Sequence, residues 1–229
     1  MSDGDTLTLD SGLKVQLTGI IAPRRGFQDR PDEPKAQEAR QTLEKLTLGR
    51  EVLLAYGGDK RLPDADPPLA LAQVFVKTEG GRWLWAQEAM LREGMARVRT
   101  FKTNHARSAA LLQAEAIARK QKLGMWGDKS YSLKTAANIT PEDTGFQIVE
   151  GVVKSIGKTE KWTYLNFGDD YRTDFTVSIN TENLPAWTAG DPALDSLQGK
   201  RIRVRGFVYA SGGPLIRVDH PQAIEVLAK

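Results

Sequence analysis

The chain has 229 residues, 40% hydrophobic and 27% charged, with a formal net charge of +3. That composition supports a packed core and excludes the low-hydrophobicity, high-charge class of disordered chains. The absence of cysteine excludes disulfides, thiolate catalysis and cysteine-ligated zinc.

Length favours two small domains over one. The basic surplus is confined to the first: 20 Lys+Arg stand against 16 Asp+Glu up to Gly127, and 12 against 13 beyond it. No run of about 18 apolar residues exists, and Met1-Ser2-Asp3 is unlike the charged start of a secretion signal, so the sequence as given reads as a soluble chain.

In chain order, Thr6–Leu9 and Leu13–Ile21 read as two strands about an Asp10-Ser11-Gly12 turn. Ala36, Ala39, Leu43 and Leu46 recur at spacings of three and four and predict a helix from about Pro34 to Leu48, stopped by Gly49. Strands over Glu51–Tyr56 and Leu69–Lys77 flank a loop rich in Gly, Pro and Asp. Trp83–Glu93 reads as a helix ended by Gly94, Met95–Thr100 as a strand, and Asn104–Lys122 as a third helix. Residues 128–145 lack a clear period and are expected to form a linker. Beyond it, Ile148–Ile156, Trp162–Phe167, Phe175–Ile179, Arg201–Tyr209, Leu215–Val218 and Ala223–Leu227 read as short strands around one helix-permitting stretch, the pattern of a small oligonucleotide/oligosaccharide-binding (OB) barrel.

Asp3-Gly4-Asp5-Thr6, followed by Lys14-Val15-Gln16-Leu17-Thr18-Gly19-Ile20-Ile21-Ala22-Pro23, resembles the opening of the staphylococcal nuclease (thermonuclease) family, D-G-D-T and then R-L-x-G-I-D-A-P-E. Leu71–Val76, Glu88–Val98 and Lys120–Trp126 resemble its central strand, its second helix with the strand after it, and its closing Gly-Met-Trp segment. The resemblance implies an α+β chain, mainly β: an OB-type barrel with three helices over residues 1–127, then, after the linker, a second OB-like barrel over 146–229, as in some bacterial members. It also implies that the strand preceding D-G-D-T is missing here, leaving the first barrel an open edge that a longer native chain or another chain would fill.

Phosphodiester cleavage needs a group to position water, a cation to offset phosphate charge and donors for the transition state. The resemblance assigns these to calcium, carboxylates and two arginines. Asp5 occupies one calcium-ligand position, with Asp3 beside it; the other ligand position holds Ile21, which offers no side-chain oxygen. Arg24 stands where the water-orienting carboxylate belongs, and the two arginine positions fall on Gln16 and near Leu69. Shifted replacements are available in Arg24, Arg25, Lys60 and Arg61 for the cations and in Asp29, Asp32 and Glu33 for the metal. The expectation is a catalytically degenerate binding or scaffold subunit holding a protein or nucleic-acid partner, tilted toward protein, with no required cofactor. The alternative is a calcium-dependent phosphodiesterase with a site rearranged around Asp5.

Three further groups bear on binding. Arg97, Arg99, Lys102 and Arg107, continuing into Arg119, Lys120 and Lys122, form a basic run able to meet phosphates. Arg201, Arg203 and Arg205 alternate on one strand and share a face as a second anion-binding candidate. Trp162 and Tyr164, with Tyr171 and Phe175, are candidates to stack bases. The bacterial relatives that this chain resembles are commonly exported, which implies a periplasmic location.

Overall fold

The computed structural model describes residues 3–62, 69–170, 172–188 and 193–228. Part of the Gly-, Pro- and Asp-rich loop before Leu69, residues 63–68, and Tyr171 lie outside them. The chain divides into one unit through Ser132 and another from Leu133.

The first unit contains β1 (Thr6–Thr8), β2 (Lys14–Leu17), β3 (Gly19–Ile21), α1 (Ala36–Thr47), β4 (Val52–Ala55), β5 (Leu69–Lys77), β6 (Trp83–Trp85), α2 (Ala86–Arg92), β7 (Arg97–Arg99) and α3 (Ser108–Lys120). Its main sheet runs β1-β2-β5-β4 with β6 also on β5, while β3 pairs with β7. Leu17, Leu43, Val74, Met90, Leu91 and Leu111 are fully buried in one core between the sheet and the helices. The parallel β2–β5 pairing, Gln16 opposite Leu71, brings the D-G-D-T hairpin beside the central strand.

Three expected elements are corrected. The strand predicted over Leu13–Ile21 breaks at Gly19, whose φ of 86° is left-handed and whose missing Cβ leaves room for Leu111. The chain thereby leaves β5 and joins β7. Trp83–Trp85, predicted as the first turn of a helix, is a strand: Thr78 N–H donates to Arg82 O at 2.8 Å and closes a hairpin through Gly80-Gly81, so the helix begins only at Ala86. The third helix starts at Ser108 rather than Asn104 because Arg107 has φ 60°, outside helical geometry.

Between Ala72, the last residue of β5 to pair with β2, and Phe75, the first to pair with β6, the strand has no neighbour on that side. Buried glutamines fill the gap. Gln87 Oε1 accepts from Val74 N–H at 3.0 Å while Gln87 Nε2 donates to Ala72 O at 2.9 Å; Gln73 accepts from Trp85 Nε1 at 2.8 Å and donates to the Thr18 hydroxyl at 3.0 Å. Buried backbone groups without partners are costly, so this amide network stands in for a stretch of missing strand.

Among the described residues the sheet of this unit does not close on itself. Its path ends on β1 and β4, and a cleft of about 510 Å³ lined by Leu7, Leu9, Leu48 and Val52 lies where the two edges face each other. Antiparallel register turns the N–H and C=O of Thr8 away from β2, and those of Val52 and Leu54 away from β5.

The second unit holds β8 (Lys134–Thr135), β9 (Gly145–Val152), β10 (Ser155–Lys158), β11 (Trp162–Asn166), β12 (Thr176–Asn180), α4 (Pro185–Thr188), β13 (Arg201–Ser211), β14 (Gly213–Arg217) and β15 (Ile224–Val226). The order β10-β11-β12-β14-β13-β9 begins and ends on one stretch of chain, because only Val153 and Lys154 separate β9 from β10. That single interrupted strand pairs with β13 by its first half and β11 by its second, which closes the sheet. With β12 and β14 parallel, the result is an OB-like barrel around Phe175, Val177, Ile179, Ile202 and Val204. The strand expected over Ile148–Ile156 is therefore two strands with a bend. Residues 128–145, read as a linker, carry structure in both units: Asp128 caps a 3-10 turn by accepting from Ser130 N–H, Tyr131 donates to Pro34 O at 2.6 Å, and β8 adds in parallel to β9.

Candidate functional site

Asp5 sits where the D-G-D-T turn enters β1, with its side chain wholly buried. One carboxylate oxygen accepts from Ala22 N–H at 3.0 Å, just past β3, and the other from the Thr6 hydroxyl at 3.1 Å. The Arg24 guanidinium lies 3.1 Å from Asp5 and 3.3 Å from Asp3, with 36% of its side chain exposed. The loop that carries Arg24 is fastened from both ends. Arg25 N–H donates to Asp3 at 3.0 Å, Arg24 N–H to Glu33 at 2.9 Å, and Gly26 N–H to Asp32 at 2.7 Å. Asp32 and Glu33, the acids available to move toward a metal, instead hold loop backbone.

Burial is the largest influence on the Asp5 carboxyl and pushes it above its ordinary value, with Asp3 adding to the rise. Arg24, the Ala22 N–H and the Thr6 hydroxyl pull it back. Arg24 is therefore the strongest of the influences that hold the Asp5 carboxyl below where burial alone would put it. Sequence reasoning saw that Arg24 reverses the sign of an expected carboxylate; it did not see that the reversed charge pairs with the remaining ligand 19 residues away.

The positions expected to supply transition-state arginines hold none. Gln16, 9% exposed, lies between Thr6 and Leu71 in the sheet, and Leu69 opens β5 opposite Lys14. Lys60 and Arg61 do come alongside β5, since Leu71 N–H donates to Lys60 O and Arg61 bridges Ala70, but the Lys60 ammonium lies over the Tyr56 ring at 5.8 Å. Ile21 is 4% exposed on β3 and offers a methyl surface where a carboxylate is required. Among the described residues no group of three His, Cys, Asp or Glu side chains is placed to hold a metal.

The basic residues separate by environment. Arg97 is buried against the Tyr131 ring, Arg99 lies over Phe101, and Arg119 is paired with the buried Glu115 at 3.1 Å. Lys102, Arg107, Lys120 and Lys122 are exposed. In the second unit Arg201, Arg203 and Arg205 do share a direction, but it points at acids: Glu150 on β9 takes Arg201 and Arg203, and Glu225 on β15 takes Arg203 and Arg205. Burial alone would raise the Glu150 carboxyl; its bonds and charge pairing with Arg203 and then Arg201 bring it below the ordinary value. The row expected to bind anions is a cross-strand ion-pair ladder. Trp162 carries Arg217 over its ring, Tyr164 lines a cleft of about 580 Å³ with Lys158, Asn166 and Arg172, and Phe175 is core.

The open sheet, its three helices and the buried aspartate under β3 define a nuclease-type OB domain in the first unit. The family model described as staphylococcal nuclease homologue matches residues 14–128, and the chain belongs to that family. It is 31% identical over 118 residues to a probable endonuclease LCL3 of Komagataella phaffii and 26% identical over 132 residues to the thermonuclease of Staphylococcus hyicus. These alignments take in 50% and 55% of this chain; it spans about half of the first protein, 49%, and 72% of the second.

Proposed function

We propose that this chain is a nuclease-fold binding protein that holds a protein or nucleic-acid partner and does not cleave phosphodiesters. The observation that carries this reading is the Arg24 guanidinium on Asp5 and Asp3. Calcium binds through several hard oxygen ligands, and the residues present do not fit it: Ile21 supplies no oxygen, and a tethered positive charge lies 3.1 Å from the best remaining ligand. Arginine stays protonated at any ordinary pH, so Arg24 cannot take a proton from an attacking water. Loss of one electrostatic donor typically costs about 10²–10³ in rate, and here the base, a ligand and both arginines change together.

Labelled single- and double-stranded DNA and RNA, incubated with calcium or with chelator, test the reading. Wild type and Asp5→Ala are expected to leave all four substrates intact, and calcium is expected to leave the wild-type unfolding midpoint unchanged, since an ion that does not bind the folded state cannot stabilise it. Chelator-sensitive cleavage that disappears in Asp5→Ala would instead establish a phosphodiesterase rebuilt around Asp5.

A further inference from the structure

We infer that the second barrel binds a neutral oligosaccharide, in the cleft of about 580 Å³ bordered by the β10–β11 loop, the outer side of β11 and the β13–β14 turn. The site lies wholly in the second unit and does not depend on the reading of the first. The order β10-β11-β12-β14, with β12 and β14 parallel, makes β11 and β12 the second and third strands of the barrel and puts the cleft between its first loop and its last. OB barrels take oligonucleotides and oligosaccharides alike on this face, so the chemistry of the lining decides the class of ligand.

The cleft is preformed. Side chains alternate across a strand, so Tyr164 points outward from β11 between Thr163 and Leu165, which are buried on the inner side. Opposite it on β10 stands Gly157, which has no side chain to cover the ring. On the far wall, a Cβ at Gly212 or Gly213 would come within 2.3 or 2.4 Å of the carbonyl oxygens of Arg172 and Thr173. The β13–β14 turn and the β11–β12 loop therefore meet backbone to backbone, an approach that only glycine permits. Walls held in this way have little freedom left to lose on binding.

Charge and hydrogen-bonding capacity identify the ligand. Lys158 lies 2.8 Å from Asp195 and Arg172 lies 3.0 Å from Asp170, while Asp174 accepts from Asp170 N–H at 2.9 Å. The cations of the wall are matched by acids, with Asp174 in excess, so the cleft offers a phosphate chain no net positive field. What it presents is an aromatic face and uncharged hydroxyls. Among the described residues, the Tyr164 and Ser211 hydroxyls make no hydrogen bond, and no cation or second ring covers the Tyr164 ring. A sugar ring has an apolar face of C–H groups and a rim of hydroxyls, and it calls for an aromatic surface and neutral polar groups at one place. The volume falls within the range of roughly 300–1,000 Å³ that small-ligand sites occupy.

Isothermal titration calorimetry of the full chain with cellotetraose, maltotetraose and chitotetraose, each up to about 10 mM, tests the inference. At least one of these neutral sugars is expected to bind, with an affinity unchanged between about 50 and 200 mM salt because no charge is matched. For that sugar, Tyr164→Ala is expected to weaken binding about tenfold or more. Tyr164→Phe and Ser211→Ala each remove one hydroxyl and are expected to weaken it about fivefold. Thermal melts identify any variant that fails to fold, and Ser211→Ala, at an exposed position, carries the test if Tyr164→Ala does not fold. Absence of binding by all three sugars, or equal affinity in wild type and the folded variants, overturns the inference. So does binding of oligothymidylate or a heparin tetrasaccharide that is tighter than that of the sugars and is lost in Tyr164→Ala.

Discussion

Gln87→Leu is expected to destabilise the first unit by about 3 kcal/mol, read as a lower urea midpoint with an unchanged slope. The leucine has nearly the volume of the glutamine but none of its polar atoms. It would leave Val74 N–H without its 3.0 Å acceptor and take the 2.9 Å donor from Ala72 O, which keeps Thr18 N–H at 3.0 Å, both in a fully enclosed part of the core. The bond lost at Ala72 O contributes only about 1 kcal/mol, but the orphaned Val74 N–H costs its full desolvation, about 1–3 kcal/mol, and that term sets the size of the effect. A loss below about 1 kcal/mol would show that water or a strand shift takes over the role of the side chain.

Arg24→Ala is expected to cost about 2 kcal/mol at pH 7. The figure lies below the ~3–5 kcal/mol of a fully buried pair because Arg24 is 36% exposed and its charge is partly screened. Its pH dependence is diagnostic. The folded-state pKa of Asp5 is raised, so the stability it contributes is present below its unfolded value and is lost as pH rises through the folded value. Without Arg24 the folded value rises further, so the deficit should be largest at neutral pH and vanish as pH falls below the unfolded value of about 4, where the carboxyl becomes protonated in both states. Asp5→Asn in the Arg24→Ala background is expected to recover most of the loss at pH 7. Unfolding curves at two pH values check both statements, and a deficit independent of pH would mean that Arg24 acts through packing alone.

Much of the first unit was legible because its signals are local. The hairpin at Asp10-Ser11-Gly12, the three-and-four spacing of Ala36, Ala39 and Leu43, and the Gly-Met-Trp close each specify an element within a few residues, and the D-G-D-T opening placed them in a family. The misread elements turn on competition between neighbours. Trp83-Leu84-Trp85 abuts a helical run and was absorbed into it, although two indoles flanking a leucine also fit the alternation of a strand. Leu13–Ile21 looked continuous because a single glycine changes its partner without breaking its apolar pattern.

At the site, the substitutions themselves were readable position by position, whereas their consequence was not. Which carboxylate a lone arginine pairs with depends on how the β3 loop returns across the start of β1, and spacing carries no record of that return. The same holds for Arg201, Arg203 and Arg205. Their alternation gave a common face correctly, but Glu150 and Glu225 reach that face only through strand pairing from 51 and 20 residues away.

A metal ion comes and goes with its concentration in the surrounding fluid, whereas a guanidinium anchored to the backbone has a fixed local concentration that no chelator lowers and no influx raises. If the proposed reading holds, Arg24 held against Asp5 exchanges an occupancy for a constant. On the proposed reading, the counter-charge that Asp5 meets at this spot does not follow the calcium level of its surroundings.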